Sequence, residues 1–543
     1  MSPQLKALIR KEWRQQRKYF WVVLCVLCGL ESVFLVVNPA SAAALLFLTF
    51  YFAGFLGILV GSSVIDSESR STPGTFYLSL PLSRQKKAIV KLIVGAMVLL
   101  GPLLISYLLF FLLASVMQIA DVLPSRFLED FKSLSGSFSG SIALIASMSM
   151  MLALTMYLWT TGLAVRKESF MGAGGVGLLV VFISVILLIL SFGIPILAIR
   201  VNPELLSTEA GRALIDSLNN LSLLLNAGNP LVFPIVFTNF FTNLVFSSWI
   251  FVAIVAAQLS AGLLLMRRFV RYYGTDTTPA IDRILHRAAQ PLVRWLWRIR
   301  LLLPRHTRLT SRLAKSPTWL LMQHQWKSQS LLLLPMLGLG LALGVSPVIT
   351  NWNSHVLRLA SDVDSILTPL FLLVGLPGML LLGTTVFHRD RSLEIQSFWR
   401  ALPLSPTRWL LTKLLSSLFV GIFCLIGPFL LMDVIFDVYG WPTLILTRGT
   451  LYLSAHFLLA AAIYWWIGNP LHSIVMTIGY SAILQGVITG KYPGIRIAMS
   501  LDELIVRNSP SQTAAFYLIF ALLILPAIVV LFRQTRRQQL TAW

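Results

Sequence analysis

The chain has little charge. Of its 543 residues only 12% are Asp, Glu, Lys or Arg, while 57% are hydrophobic. A soluble domain carries about 25% charged residues, so an ordinary water-soluble globule is excluded and a membrane protein with many spans is expected. Acid is scarcest: 21 Asp and Glu stand against 43 Lys and Arg, for a net charge of +22. No basic module interleaved with aromatics accompanies that excess, so nucleic acid is not expected as a partner. Three cysteines exclude a disulfide framework. Cys25 and Cys28 form a CxxC inside an apolar run and read as small span residues. The seven histidines are scattered (among them His324, His355, His388, His456 and His472), so no metal site is expected. Nothing matches GxxxxGK followed by Ser or Thr, so phosphate-binding chemistry of that kind is not expected in this chain. No catalytic, cofactor-binding or metal residue is assigned.

Long hydrophobic runs are abundant. A span needs roughly 20 mostly apolar residues. Candidates in the first half are 20–37, 42–65, 88–118, 139–165, 170–199 and 243–266; in the second they are 330–349, 366–387, 410–436, 449–467, 472–489 and 513–532. Before the first run, residues 3–18 place Leu5, Leu8, Ile9 and Trp13 on one helical face and six basic residues on the rest. That pattern predicts an amphipathic interfacial helix. The N-terminal segment does not read as a cleavable signal, so the first span is expected to remain as an anchor. Residues 319–327 echo the pattern, with Trp326 in the place of Trp13. Between the halves, 267–317 carries 12 Arg and Lys against two Asp and reads as a basic cytosolic linker on an anionic leaflet. Residues 203–226 read as an amphipathic helix in an outer loop. The expected organisation is therefore 1–266, a six-span half; 267–317, the linker; and 318–543, a second six-span half.

Orientation follows from counting. With both termini inside, the inner segments hold 34 of the 43 Lys and Arg, as the positive-inside rule demands. Six spans per half is an even number, so both halves enter the membrane the same way. The expected fold is all-α and integral to the membrane: about twelve transmembrane helices in two parallel six-helix repeats, each preceded by an interfacial helix.

The repeat is visible in two loops. A shift of 322 residues lays Leu80-Pro81-Leu82-Ser83 on Leu402-Pro403-Leu404-Ser405, Phe76 on Phe398, Glu68 on Asp390, Lys91 on Lys413 and Gly61 on Gly383. Repeats outrank local signals in reading a fold. Each loop begins with acidic and basic residues, passes an aromatic and ends on Leu-Pro-Leu-Ser before a basic residue re-enters a span. Proline fixes the turn into that span. A short rigid segment held between two spans can pass a push from a soluble motor into the membrane. The glycines Gly57, Gly61, Gly340, Gly344 and those of 171–177 read as close helix packing. Two acids fall inside spans, Glu31 and Asp433. Both are expected toward the outer end, where solvation is cheap, in a structural or a proton-relay role.

On these loop residues the chain resembles the permease subunits of ABC transporters of the type-2 export class. Gly74-Thr75-Phe76 through Leu80-Pro81-Leu82-Ser83-Arg84 is similar to the family's cytosolic coupling loop. So is Asp390-Arg391-Ser392-Leu393 through Phe398-Trp399-Arg400-Ala401-Leu402-Pro403-Leu404-Ser405. The resemblance implies that Glu68, Gly74, Thr75, Phe76, Leu80, Pro81, Ser83 and Arg84 dock one ATPase subunit. It implies the same of Asp390, Arg391, Glu394, Phe398, Trp399, Arg400, Leu402, Pro403 and Ser405. The implied partners are two copies of a soluble ABC ATPase carrying ATP and Mg, with membrane lipids around the chain and room for an accessory envelope protein. The implied location is the cell (inner) membrane. The chain departs from the family by fusing two halves. Five residues separate Glu68 from Gly74, and the second loop lacks the Gly-Thr pair. Rival readings are a twelve-span secondary transporter, an integral-membrane enzyme, and an ATPase-linked machine that pulls on envelope components.

Overall fold

The computed structural model describes residues 3–37, 42–66, 82–123, 137–165, 170–201, 208–232, 248–273, 316–352, 374–387, 405–436, 442–491 and 510–540. Among them there is no strand. The chain is all-helical, with α1 (Pro3–Val37), α2 (Ala42–Asp66), α3 (Arg84–Ile119), α4 (Phe138–Ala164), α5 (Phe170–Val201), α6 (Glu209–Leu225) and α7 (Ser248–Tyr272). There follow α8 (Pro317–Trp352), α9 (Leu376–Thr385), α10 (Pro406–Phe436), α11 (Pro442–Ile467), α12 (Pro470–Lys491) and α13 (Pro510–Leu540). Proline opens α8, α10, α11, α12 and α13; at the first helical position its missing N–H costs nothing and its fixed φ suits the helix.

Among the described residues, eight helices are long and apolar enough to cross a membrane, and four shorter apolar helical stretches accompany them. The outward faces fit hydrocarbon rather than water. On α3, Ile89, Ile93, Met97, Leu104, Leu108, Leu112 and Val116 are all exposed, at spacings that follow one side of the helix. On α10, Leu411, Leu415, Phe419, Phe423, Leu431 and Ile435 do the same. Apolar stripes of that length place the chain in a membrane as a multi-pass protein. Pro102 and Pro428 sit inside these two helices, as membrane helices tolerate.

The described helices correct three expected boundaries. The interfacial helix and first span are one element, α1, and the segment echoing it is likewise continuous with its span in α8. No Pro or Gly stands at either junction to break the hydrogen-bond ladder. The outer-loop helix starts at Glu209, because the Thr208 hydroxyl accepts from the Gly211 N–H at 3.1 Å and caps it there.

The chain divides into two compact units, Met1–Ser169 with Leu179–Thr277, and Phe170–Leu178 with Thr278–Trp543. In the first unit α1 packs on α3 and α2, α2 on α3 and α4, α3 on α4, and α7 on α4, α3 and α6. In the second, α8 packs on α10 and α9, α9 on α10 and α11, α10 on α11, and α13 on α11 and α10, with α12 added against α9, α11 and α13.

Glycines set the tightest crossings. A Cβ on Gly57 would stand 2.3 Å from the Ala153 carbonyl oxygen, and one on Gly340 would stand 2.2 Å from that of Cys424. Within the second unit, Gly175 faces the Leu331 backbone at 3.1 Å. Gly61 and Gly383 occupy corresponding crossings. The first meets Tyr157 and Thr160 on α4, the second Phe457 and Ala460 on α11, each pair separated by 300 residues.

Candidate functional site

Most of the two loops, namely Glu68, Gly74, Thr75, Phe76, Leu80 and Pro81, and Asp390, Arg391, Glu394, Phe398, Trp399, Arg400, Leu402 and Pro403, lies outside the described residues. Their ends are described, and those ends are built alike. Ser83 is the N-cap of α3, its hydroxyl accepting from the Lys86 N–H at 3.4 Å. Ser405 holds the same position before α10, accepting from the Arg408 N–H at 3.3 Å. Their carbonyls take the next amides, Lys87 at 3.2 Å and Trp409 at 2.9 Å. The serine that closes each Leu-Pro-Leu-Ser thus starts the following helix, satisfying an amide that would otherwise have no partner. Arg84 is exposed at the first helical position. The proline-serine pair was legible as a turn; the cap itself is supplied by the structure.

Each loop end is also anchored sideways, by different means. Leu82 packs with Leu5, Ile9, Trp13 and Phe20 around the buried Leu8, Val90, Val94 and Val98. The first loop therefore ends against the amphipathic face of α1. In the second unit, Phe387 precedes the loop and Trp409 follows it. Their ring centroids lie 5.9 Å apart, and Trp465 of α11 is 4.3 Å from Phe387 and 6.1 Å from Trp409. In the sequence Phe387 is only the last residue of a predicted span. Trp465, some 60 residues away, carried no signal.

Below each loop lies a buried lysine. Lys91 and Lys413 were expected as basic residues at the membrane edge, but they are only 1% and 2% exposed. The Lys91 Nζ stands 5.6 Å from the ring centre of Tyr273, and the Lys413 Nζ stands 5.1 Å from that of Trp409. A desolvated ammonium over an aromatic face gains about 2 kcal/mol. Buried polar residues on α1 and α8 correspond to one another. Glu12 and Gln16 on α1 are buried, as are Gln325 and Gln329 on α8. The shift of 313 that pairs Trp13 with Trp326 pairs these residues as well. Gln329 donates to the Ser417 hydroxyl at 3.1 Å, tying α8 to α10 one turn beyond Lys413. Arg268 of α7 binds the Gly162 carbonyl of α4 at 2.8 Å.

Away from the loops, α6 is held to α5 and α7 by a polar network. Ser222 donates to the Ser191 carbonyl at 2.8 Å, Asn229 to that of Ser184 at 2.7 Å, and Gln258 to those of Ala227 and Asn229 at 2.8 and 2.7 Å. Leu223, Val232, Ile250 and Ile254 fill the space beside it.

The expected solvation of Glu31 is overturned, since the residue is packed inside the first unit at 2% exposure. Asp433 lies on α10, with its side chain outside the described residues. Among the described residues, no three His, Cys, Asp or Glu come together as metal ligands. No protein-family model matches the chain, and no curated protein matches it.

Proposed function

We propose that the chain is the membrane-embedded permease of an ATP-driven exporter, with both termini in the cytosol. Its two loops dock two copies of a soluble ABC ATPase. Closure of that ATPase dimer moves the loops and shifts the spans between inward- and outward-facing states. ATP and Mg belong to the partner, and the protein sits in the cell (inner) membrane.

One observation supports the reading: the loop motif that recurs in the sequence is followed in each unit by a helix with similar neighbours. Seven helix pairs of the first unit have counterparts in the second. The eight long and four shorter apolar helical stretches fall on the twelve predicted segments. In both copies the motif serine caps the helix beneath the loop, with a buried lysine two turns further in. Such rigid seating favours a loop that transmits force over one that merely connects. Two copies of one loop motif suit a partner that is itself a dimer.

The test is the double substitution Glu394→Ala with Pro403→Ala. Transport is expected to be lost, with membrane insertion and the amount of protein unchanged. Normal transport by that variant rejects the docking role. The buried Glu31 favours one second reading, a cation-coupled secondary transporter, which requires no ATPase partner at all.

A further inference from the structure

The proton inventory around Glu31 points to a missing positive charge. Glu31 lies on α1, and neither of its carboxyl oxygens has a hydrogen-bond partner among the described residues. Its polar neighbours are Ser106 and Tyr107, which project from α3 beside it. The Ser106 hydroxyl donates to the Leu103 carbonyl at 3.0 Å. The Ser149 hydroxyl donates to the Ile145 carbonyl at 2.8 Å. The Tyr107 and Ser149 oxygens are 2.6 Å apart; with the serine proton committed, the tyrosine is the donor. Each hydroxyl has one hydrogen; those of Tyr107 and Ser149 are directed away from Glu31, and that of Ser106, the one donor within reach of the carboxyl, is drawn to the Leu103 carbonyl. At most one contested hydrogen is left for the carboxylate.

Among the described residues of α1 to α4, no cationic side chain lies near it. Neither α2 nor α4 contains Lys, Arg or His. The nearest basic residues on α1 and α3 are Lys18 and Lys91, 13 and 15 positions from Glu31 and Ser106, or about 20 Å at the helical rise. A carboxylate with so little donation and no counter-charge is strongly disfavoured in the membrane.

The cluster is also specific to one unit. The shifts that match the two frames place Gly344, Pro428, Phe429 and Gly449 where the first unit has Glu31, Ser106, Tyr107 and Ser149. A requirement of the shared fold would recur in both units; this cluster does not.

We propose that Glu31 is the anionic end of a monovalent-cation site within the first unit, with the Ser106 and Tyr107 oxygens as neutral ligands. An all-oxygen set with a single negative charge suits a hard monovalent ion or the N–H of an alkylammonium group. A divalent ion calls for more carboxylates. The occupant is an inorganic cation or the head of a lipophilic amine, and the site stands whether or not an ATPase docks on the loops.

Carbodiimide labelling of the purified full chain tests this. In apolar surroundings a protonated carboxyl gives its proton to a dicyclohexylcarbodiimide nitrogen and its oxygen adds to the central carbon; an O-to-N acyl shift then leaves a stable N-acylurea that peptide mass spectrometry locates, and Glu31→Gln confirms the position. In choline chloride, Glu31 is expected to take the reagent. At matched ionic strength, sodium chloride, potassium chloride or dimethyloctylammonium chloride is added in turn. Occupancy should slow labelling about tenfold or more at saturation, because the occupied fraction is withheld from reaction. Protection by sodium or potassium identifies an inorganic ion site; protection by the amine alone identifies an amine site. Labelling unaffected by all three, or absent even in choline, overturns the proposal. The readout is taken on the wild-type chain and depends on no variant folding.

Discussion

Gly61 and Gly383 occupy corresponding crossings, yet the same substitution should cost very different amounts at each. A Cβ on Gly383 would lie 2.4 Å from the Phe457 carbonyl oxygen, a backbone atom that cannot rotate away. Ordinary contact begins at 3.4 Å, so α9 and α11 must part by about 1 Å, the kind of overpacking that costs roughly 1–3 kcal/mol. A Cβ on Gly61 would meet the Thr160 Cβ at 3.1 Å and the Tyr157 carbonyl at 3.3 Å. A few tenths of an ångström of adjustment suffices there. Alanine also gains about 0.5–1 kcal/mol over glycine inside a helix. Gly383→Ala should therefore be destabilised by about 1–2 kcal/mol net, and Gly61→Ala should lie within about 0.5 kcal/mol of wild type. Gly262→Ala is the control, since its new Cβ would meet only the Leu158 Cδ1 at 3.5 Å. The assay is thermal denaturation in one detergent, read as the fraction that stays monodisperse. Equal melting of the Gly61 and Gly383 variants, or a greater loss at Gly61, refutes the packing argument.

Three further outcomes are expected. Ser83→Ala and Ser405→Ala should each lose about 1 kcal/mol of helix-end stability, and the glycine variants only a few tenths; faster hydrogen exchange over residues 84–88 and 406–410 measures it. Trp465→Ala should cost about 3–5 kcal/mol, as large aromatic truncations in a core do, and should sharpen protease cleavage in the second loop while leaving the first unchanged. Asn229→Ala should cost about 1–3 kcal/mol, since it strips the Ser184 carbonyl and the Leu231 amide of their partner; release of α6, read as increased exchange over 209–225, checks it.

Composition made the membrane setting legible, because no soluble core uses 57% hydrophobic and 12% charged residues. The helices followed from apolar runs, and the close-packing glycines from their small-residue context. The 322-residue repeat located Lys91 and Lys413. What it could not convey was their burial, because a lysine at a span boundary has the same local pattern whether it snorkels or packs under an aromatic ring. Tyr273 and Trp465, the aromatics that complete the two loop bases, lie far along the chain, and single-sequence periodicity does not report such distant contacts. The fusion of interfacial helix and span was missed for a simpler reason: a change in polarity was read as a break, although the backbone there has nothing to break it. Glu31 was seen as an acid in a span, but placing it toward solvent required knowing which neighbours cover α1.

The central claim is that two ATPase subunits dock on the two loops. Purification of the tagged chain from its native membrane in mild detergent tests it most directly, with identification of co-purifying proteins and measurement of vanadate-sensitive ATP hydrolysis. The account predicts a soluble P-loop ATPase in two copies per chain, released by Glu394→Ala with Pro403→Ala. A chain that emerges alone, without ATP hydrolysis, contradicts it and leaves the loops as connectors.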